Sequence, residues 1–111
     1  MPTSEASGTQ TATIGTEHTL SGAALTNNKV YVLVVDCAAM ADGDEVELRV
    51  YTIALSAGTE GLAYIAVYRN LDGGFDPLKY SPPVPADISF KATLKQTTGT
   101  GRSFPWKILS L

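Results

Sequence analysis

The chain has 111 residues, 44% of them hydrophobic and 17% charged, with a formal net charge of -3. That length fits one domain with one core, and the acidic balance argues against general affinity for nucleic acid. Cys37 is the sole cysteine, so no intramolecular disulfide forms, and no run of 18 apolar residues offers a membrane-spanning helix.

Residues 1–14 are rich in Thr, Ser, Gly and Ala, with Ile14 as their only branched aliphatic residue. They lack the basic start and apolar stretch of a signal peptide, so a soluble protein made in a cytoplasm is expected. Fixing each residue's backbone costs roughly 1–2 kcal/mol, more than this composition recovers by burial. Residues 1–14 are therefore expected to form an arm outside a single domain of residues 15–111. Such an arm finds its hydrogen bonds by adding to the sheet edge of a neighbouring subunit, with Glu5, Thr9, Thr11 and Thr13 as contacts. His18 is the only histidine. Any triad would depend on it, yet on a strand it points away from Glu17, which leaves a surface strand histidine.

"KVYVLVVD", residues 29–36, is a short β-branched run expected as a central strand covered on both faces. Cys37 follows it in an apolar setting and reads as a small core hydrophobe. Asp36, Asp42, Asp44 and Glu45 offer hard oxygens for calcium but lack the ordered spacing of a calcium loop. With Gly43 among them, they read as a solvated turn. Val46, Leu48 and Val50 then alternate with Glu45, Glu47 and Arg49, and the phase slips at Tyr51, Ile53 and Leu55, which predicts a bulge or a strand passing from a solvated to a covered region. After "SAGTEG", residues 62–68 alternate again, so a long antiparallel hairpin is expected.

"LDGGFDPLKYSPPVPAD" holds four of the six prolines and reads as an extended surface loop. Its Asp72 and Asp76 read, like the earlier cluster, as solvated. In "ISFKATLKQ", Ile88, Phe90, Ala92 and Leu94 should face inward and Ser89, Lys91, Thr93 and Lys95 outward. "TTGTG" turns the chain into a final strand with Phe104, Trp106 and Ile108 on one face. Pro105 lacks an N–H, which places that strand at or near a sheet rim. Trp106 is expected to close one end of the core, or else to serve as an exposed interface anchor.

All 11 acidic residues lie at or before Asp87, and beyond it stand only Lys91, Lys95, Arg102 and Lys107. That layout gives either one positive rim, on which Arg102 or Lys107 meets Glu5 of an arriving arm, or strands interleaved so that the charges cancel in space. There is no phosphate-binding loop of the GxxxxGK type, and "GRSFP" lacks the glycines of a hydrolase nucleophile elbow. A non-enzymatic protein without cofactor is expected. The fold class is all-β: an antiparallel, jelly-roll-like β-sandwich of six to eight strands with an extended N-terminal arm.

The stretches "TATIGTEHTL", "LAYIAVYRN", "KYSPPVPADI" and "LKQTTGTGRSFPWKIL" resemble small proteins encoded among tailed-bacteriophage virion genes. With its polar N-terminal arm and proline-rich loop, the chain resembles capsid decoration, or cement, proteins. That resemblance implies a virion-surface protein that binds the outside of the major capsid protein shell as a homo-oligomer, with a trimer favoured, and without nucleic-acid or membrane partners. It carries over no binding residues. From the residues themselves, Glu5, Thr9, Thr11, Thr13, Arg102, Trp106 and Lys107 are the partner-contact candidates. The other readings are another virion component (a head-completion, tail or fibre subunit) and a sugar-binding sandwich with Tyr64, Tyr68, Phe75 and Tyr80 as its stacking platform.

Overall fold

The computed structural model describes residues 2–21, 24–26, 28–69 and 77–111. Among them run nine strands and no helix: β1 (Thr3–Thr11), β2 (Glu17–Thr19), β3 (Lys29–Asp36), β4 (Glu45–Thr52), β5 (Gly61–Arg69), β6 (Leu78–Tyr80), β7 (Val84–Ala86), β8 (Phe90–Thr98) and β9 (Ser103–Ser110). They build two antiparallel sheets packed as a β-sandwich. Sheet A has the order β1-β9-β3-β6, with β7 also on β3, and sheet B has the order β2-β8-β4-β5.

The alternation read along the chain decides which side chains meet between the sheets. Tyr31, Leu33 and Val35 of β3 and Phe104 and Ile108 of β9 face Val46, Leu48 and Val50 of β4 and Phe90, Ala92 and Leu94 of β8. Tyr31 and Phe90 stack with ring centroids 4.8 Å apart, a direct bond between the layers. Cys37 belongs to this core, and burial pushes its thiol up to about 11. The central place of β3 is as its sequence implies: β9 lies on one side, β6 and β7 on the other, and Val32 and Val34 are buried on its second face.

Three expectations are corrected and one is narrowed. Residues 3–11 do not stand apart as an arm: β1 pairs along β9 of the same chain from Thr3 opposite Ser110 to Thr11 opposite Ser103. The ladder supplies in cis the hydrogen bonds that the polar composition cannot replace by burial. The final strand lies next to the rim, within the expectation of at or near it, but does not form the edge itself, because β1 covers its outer side. Pro105 is still tolerated, since it lies one residue past the last β3–β9 pair, Val35 opposite Trp106, and faces only Thr9. The proline-rich stretch contributes two short strands, β6 and β7, on either side of Pro82 and Pro83; its residues 71–76 lie outside those described. These and β2, each three residues long, bring the strands to nine where six to eight were expected.

The expected β4–β5 hairpin is present, and its register shifts at Val50/Tyr51, but not in the strand whose phase slip predicted a bulge or a covered continuation: β4 ends at Thr52 and Leu55 is exposed. The extra residue lies on β5, between Leu62 and Tyr64, while β4 runs on regularly opposite β8 through Thr52. At the other end of the domain, residues 12–16 carry the chain from sheet A to sheet B. The Ala12 amide donates to the Arg102 carbonyl, the Gly15 amide to the Gln96 carbonyl, and the Thr13 amide to Nε2 of His18.

Candidate functional site

The seven partner-contact candidates fall into different places. Glu5 sits at the bulge of β1, where its Oε1 accepts from Lys29 Nζ and from Ser110 Oγ, each at 2.6 Å. The Lys29 and Ser110 hydrogen bonds hold its carboxyl below the usual range, and Lys29 is raised in turn. Glu5 therefore meets neither Arg102 nor Lys107. Arg102 is engaged elsewhere: its Nε donates at 2.8 Å to Oδ2 of Asp44. The Thr11 and Ser103 hydroxyls lie 3.2 Å apart.

Asp44 also overturns the solvated-turn reading, since only 2% of it is exposed. Burial alone would raise its carboxyl. The Ala41 amide at 2.8 Å, Arg102 and the Thr100 amide at 3.1 Å outweigh that and hold it low. Asp36 caps the Ala38 amide, and Glu45 binds Arg69 and the Thr97 hydroxyl. Among the described residues no three His, Cys, Asp or Glu side chains stand close enough to hold a metal ion. Asp72 and Asp76 lie outside those described.

Thr9, Trp106 and Lys107 lie close together at the β1–β9 ladder. Trp106 is half-buried against the core, its indole over Gly8, where an added Cβ would come within 3.3 Å of the ring. Lys107 points to the other face, opposite Ser7 and Val34, and Thr9 shares that face with Pro105. Across β3 the same face continues to Leu78 and Tyr80, which are 53% and 57% exposed. On this face opens a groove of about 180 Å³ lined by Ser7, Val34, Asp36, Leu78, Pro105, Trp106 and Lys107.

The outer face of sheet A is thus apolar and hydroxyl-rich around the groove, with Lys107 as a cation that no described carboxylate pairs. The outer face of sheet B is built differently. Arg49 pairs with Glu47, Arg69 with Glu45 and Lys91 with Glu60; Tyr51 donates to Glu17 at 2.7 Å while Lys91 stands 4.7 Å from its ring centroid. Over β4 and β8 that face is self-satisfied and costly to desolvate, and only along β5 does it carry exposed apolar side chains, Leu62, Ile65 and Val67. The basic tail is dispersed in space, with Lys91 and Arg102 paired to acids and Lys95 in register with Glu17 and Glu47.

The sequence named Lys107 and Trp106 as partner contacts but not Val34, Leu78 and Pro105 beside them. The available signal was the two-faced apolar run of β3, which requires a partly apolar outer surface on one sheet. The aromatic platform does not assemble: Tyr64 and Tyr68 pack against the core with hydroxyls 3.5 Å apart, and Lys79 stands 4.9 Å from the Tyr68 ring centroid. Tyr80 is exposed on the opposite sheet, and Phe75 lies outside the described residues. Comparison of the chain with protein-family models, with curated proteins and with solved structures gives no match.

Proposed function

We propose that the chain is a non-enzymatic decoration protein of a tailed-bacteriophage capsid, a jelly-roll domain that binds the outside of the major capsid protein shell. The observation that carries this reading is the strand order. Counting β6 and β7 as one strand broken at Pro82 and Pro83, the first strand pairs with the last, the second with the seventh, the third with the sixth and the fourth with the fifth. A long hairpin rolled into two sheets in this way is the plan of jelly rolls, an architecture of viral capsid domains, lectins and cupins. The sequence resemblance favours the first of these, and the inward Tyr64 and Tyr68 weigh against the sugar-binding one.

The shell-facing surface in this reading is the outer face of sheet A. Its groove is close to the ~150 Å³ of an apolar cavity that takes up benzene, enough for one large side chain of the shell. Lys107 beside it would meet a carboxylate. A single such contact is weak, and repetition over a lattice multiplies it.

Electron microscopy and mass spectrometry of purified particles test the proposal. Density for the sandwich on the outside of the shell is expected, lost or thinned when Leu78→Asp and Lys107→Glu are combined. A chain absent from the particle, or found only within it, overturns the reading.

A further inference from the structure

We infer that two copies of this chain join edge to edge through β5, making one continuous sheet from both copies of sheet B. Among the described residues the edges of the sandwich are β1 and the β6/β7 side of sheet A, and β2 and β5 of sheet B. Natural edge strands are blunted by shortness, proline, charge or bulges. β2, β6 and β7 have three residues each, and Pro82, Pro83 and Pro85 flank or enter the last two. β1 is long but polar, bulged at Glu5, with Ala6 as its one apolar side chain.

β5 differs from all of these. It has nine residues, Gly61–Arg69, with no proline and no charge before its final Arg69. Leu62, Ile65 and Val67 are 48%, 46% and 50% exposed. Its irregularity lies near its start, at Ala63, so Tyr64–Arg69 is an unbroken ladder partner with no described strand on its outward side.

The occupant that fits is a second β5. Its outward row of backbone groups has no strand partner among the described residues, a second extended strand presents the matching row, and antiparallel pairing about a two-fold axis at Ala66 puts like with like. Ile65 then lies opposite Val67 of the second copy on the outer face, and Tyr64 opposite Tyr68 of the second copy on the inner one, apolar and aromatic cross-strand pairs of the kind that stabilise sheets. The antiparallel direction also sends the two Arg69 side chains to opposite ends, where a parallel one would set them side by side. This isologous contact gives a dimer, a two-fold where a three-fold was expected. It leaves the outer face of sheet A open on both copies.

Sedimentation of the purified full chain, with Ile65→Lys as the variant, is the first measurement. A dimer is expected, with its dissociation constant raised at least tenfold by the charge and the melting temperature of the domain little changed, since Ile65 is outside the core. The second is cross-linking in a Cys37→Ala background: oxidation of Ile65→Cys mixed with Val67→Cys should give a covalent heterodimer, because opposed residues stand about 4.5–5.5 Å apart at Cα, within disulfide reach. A monomeric chain, an oligomer whose size and affinity Ile65→Lys leaves unchanged, or a mixture that gives no covalent dimer overturns the inference. A monomer that still decorates shells overturns it while leaving the capsid reading intact.

Discussion

Arg102 Nε donates to Asp44 Oδ2 at 2.8 Å, tying the turn that leads into β4 to the hairpin between β8 and β9. The same carboxylate accepts from the amides of Ala41 and Thr100. Gly99 makes room for it: its φ is +93°, and a Cβ there would fall 1.8 Å from Asp44 Oδ1. Gln96, fully buried, completes the junction by donating to the Thr98 and Thr100 carbonyls and accepting from the Arg102 amide. Asp44→Ala leaves three part-buried donors without their acceptor and should cost about 3 kcal/mol in denaturant titration. Gly99→Ala should cost at least as much, from strain and collision together. Losses under about 1 kcal/mol for both would show that the junction is peripheral.

The depressed Asp44 carboxyl also fixes the direction of a pH effect. A group lowered from an ordinary value of 3.8 stabilises the fold fully above that value and loses its contribution as pH falls through the folded value. Glu17 acts in the same sense from 4.5, chiefly through the Thr93 hydroxyl donating at 2.6 Å. Stability should therefore decline on acidification from about pH 4.5 downward. In Asp44→Asn the decline below pH 4 should be shallower, on a lower plateau at neutral pH. Melting curves from pH 7 to 2.5 read both features, and parallel curves for the two proteins would contradict the assignment.

Phe90 is fully buried, stacked on Tyr31 and bridged in backbone to Leu25. Its replacement by Ala opens a cavity where the two sheets meet, and such truncations cost roughly 3–5 kcal/mol. Domains of this size have only about 5–15 kcal/mol in all, so Phe90→Ala should shift the denaturation midpoint markedly. A shift corresponding to less than about 1 kcal/mol would remove this face from the core.

The strands with alternating side chains were legible from sequence because burial itself writes that pattern: Val46, Leu48 and Val50, and Phe90, Ala92 and Leu94, are inward as read. Ser7, Gly8 and Thr9 gave no such signal, because β1 is held by its ladder to β9 and by Glu5 reaching Lys29 and Ser110 far along the chain. Asp44 and Gln96 were hidden for a related reason. A polar side chain can be buried when its partners are folded around it, and those partners are remote in sequence. The groove was only half legible, since the apolar run of β3 announces two covered faces without saying what lies over the second.

β1 has no fully buried residue, yet it covers Trp106, the only tryptophan. Gly8 lies against the indole, and Ala6 packs beside the core. Deleting residues 2–11 removes a ladder and this cover but keeps Ala12, which is buried and bonded to Arg102. The remaining chain should fold, with a melting temperature lowered by about 5–10 °C, the equivalent of one to two kcal/mol in a domain of this size. Trp106 emission should move to longer wavelength as water reaches the ring. Gly8→Val should shift it the same way by a smaller amount, since the half-buried indole can move aside to admit the new side chain. A truncated chain that fails to fold would make β1 integral to the core, and one with unchanged emission would show that Trp106 is shielded by something other than β1.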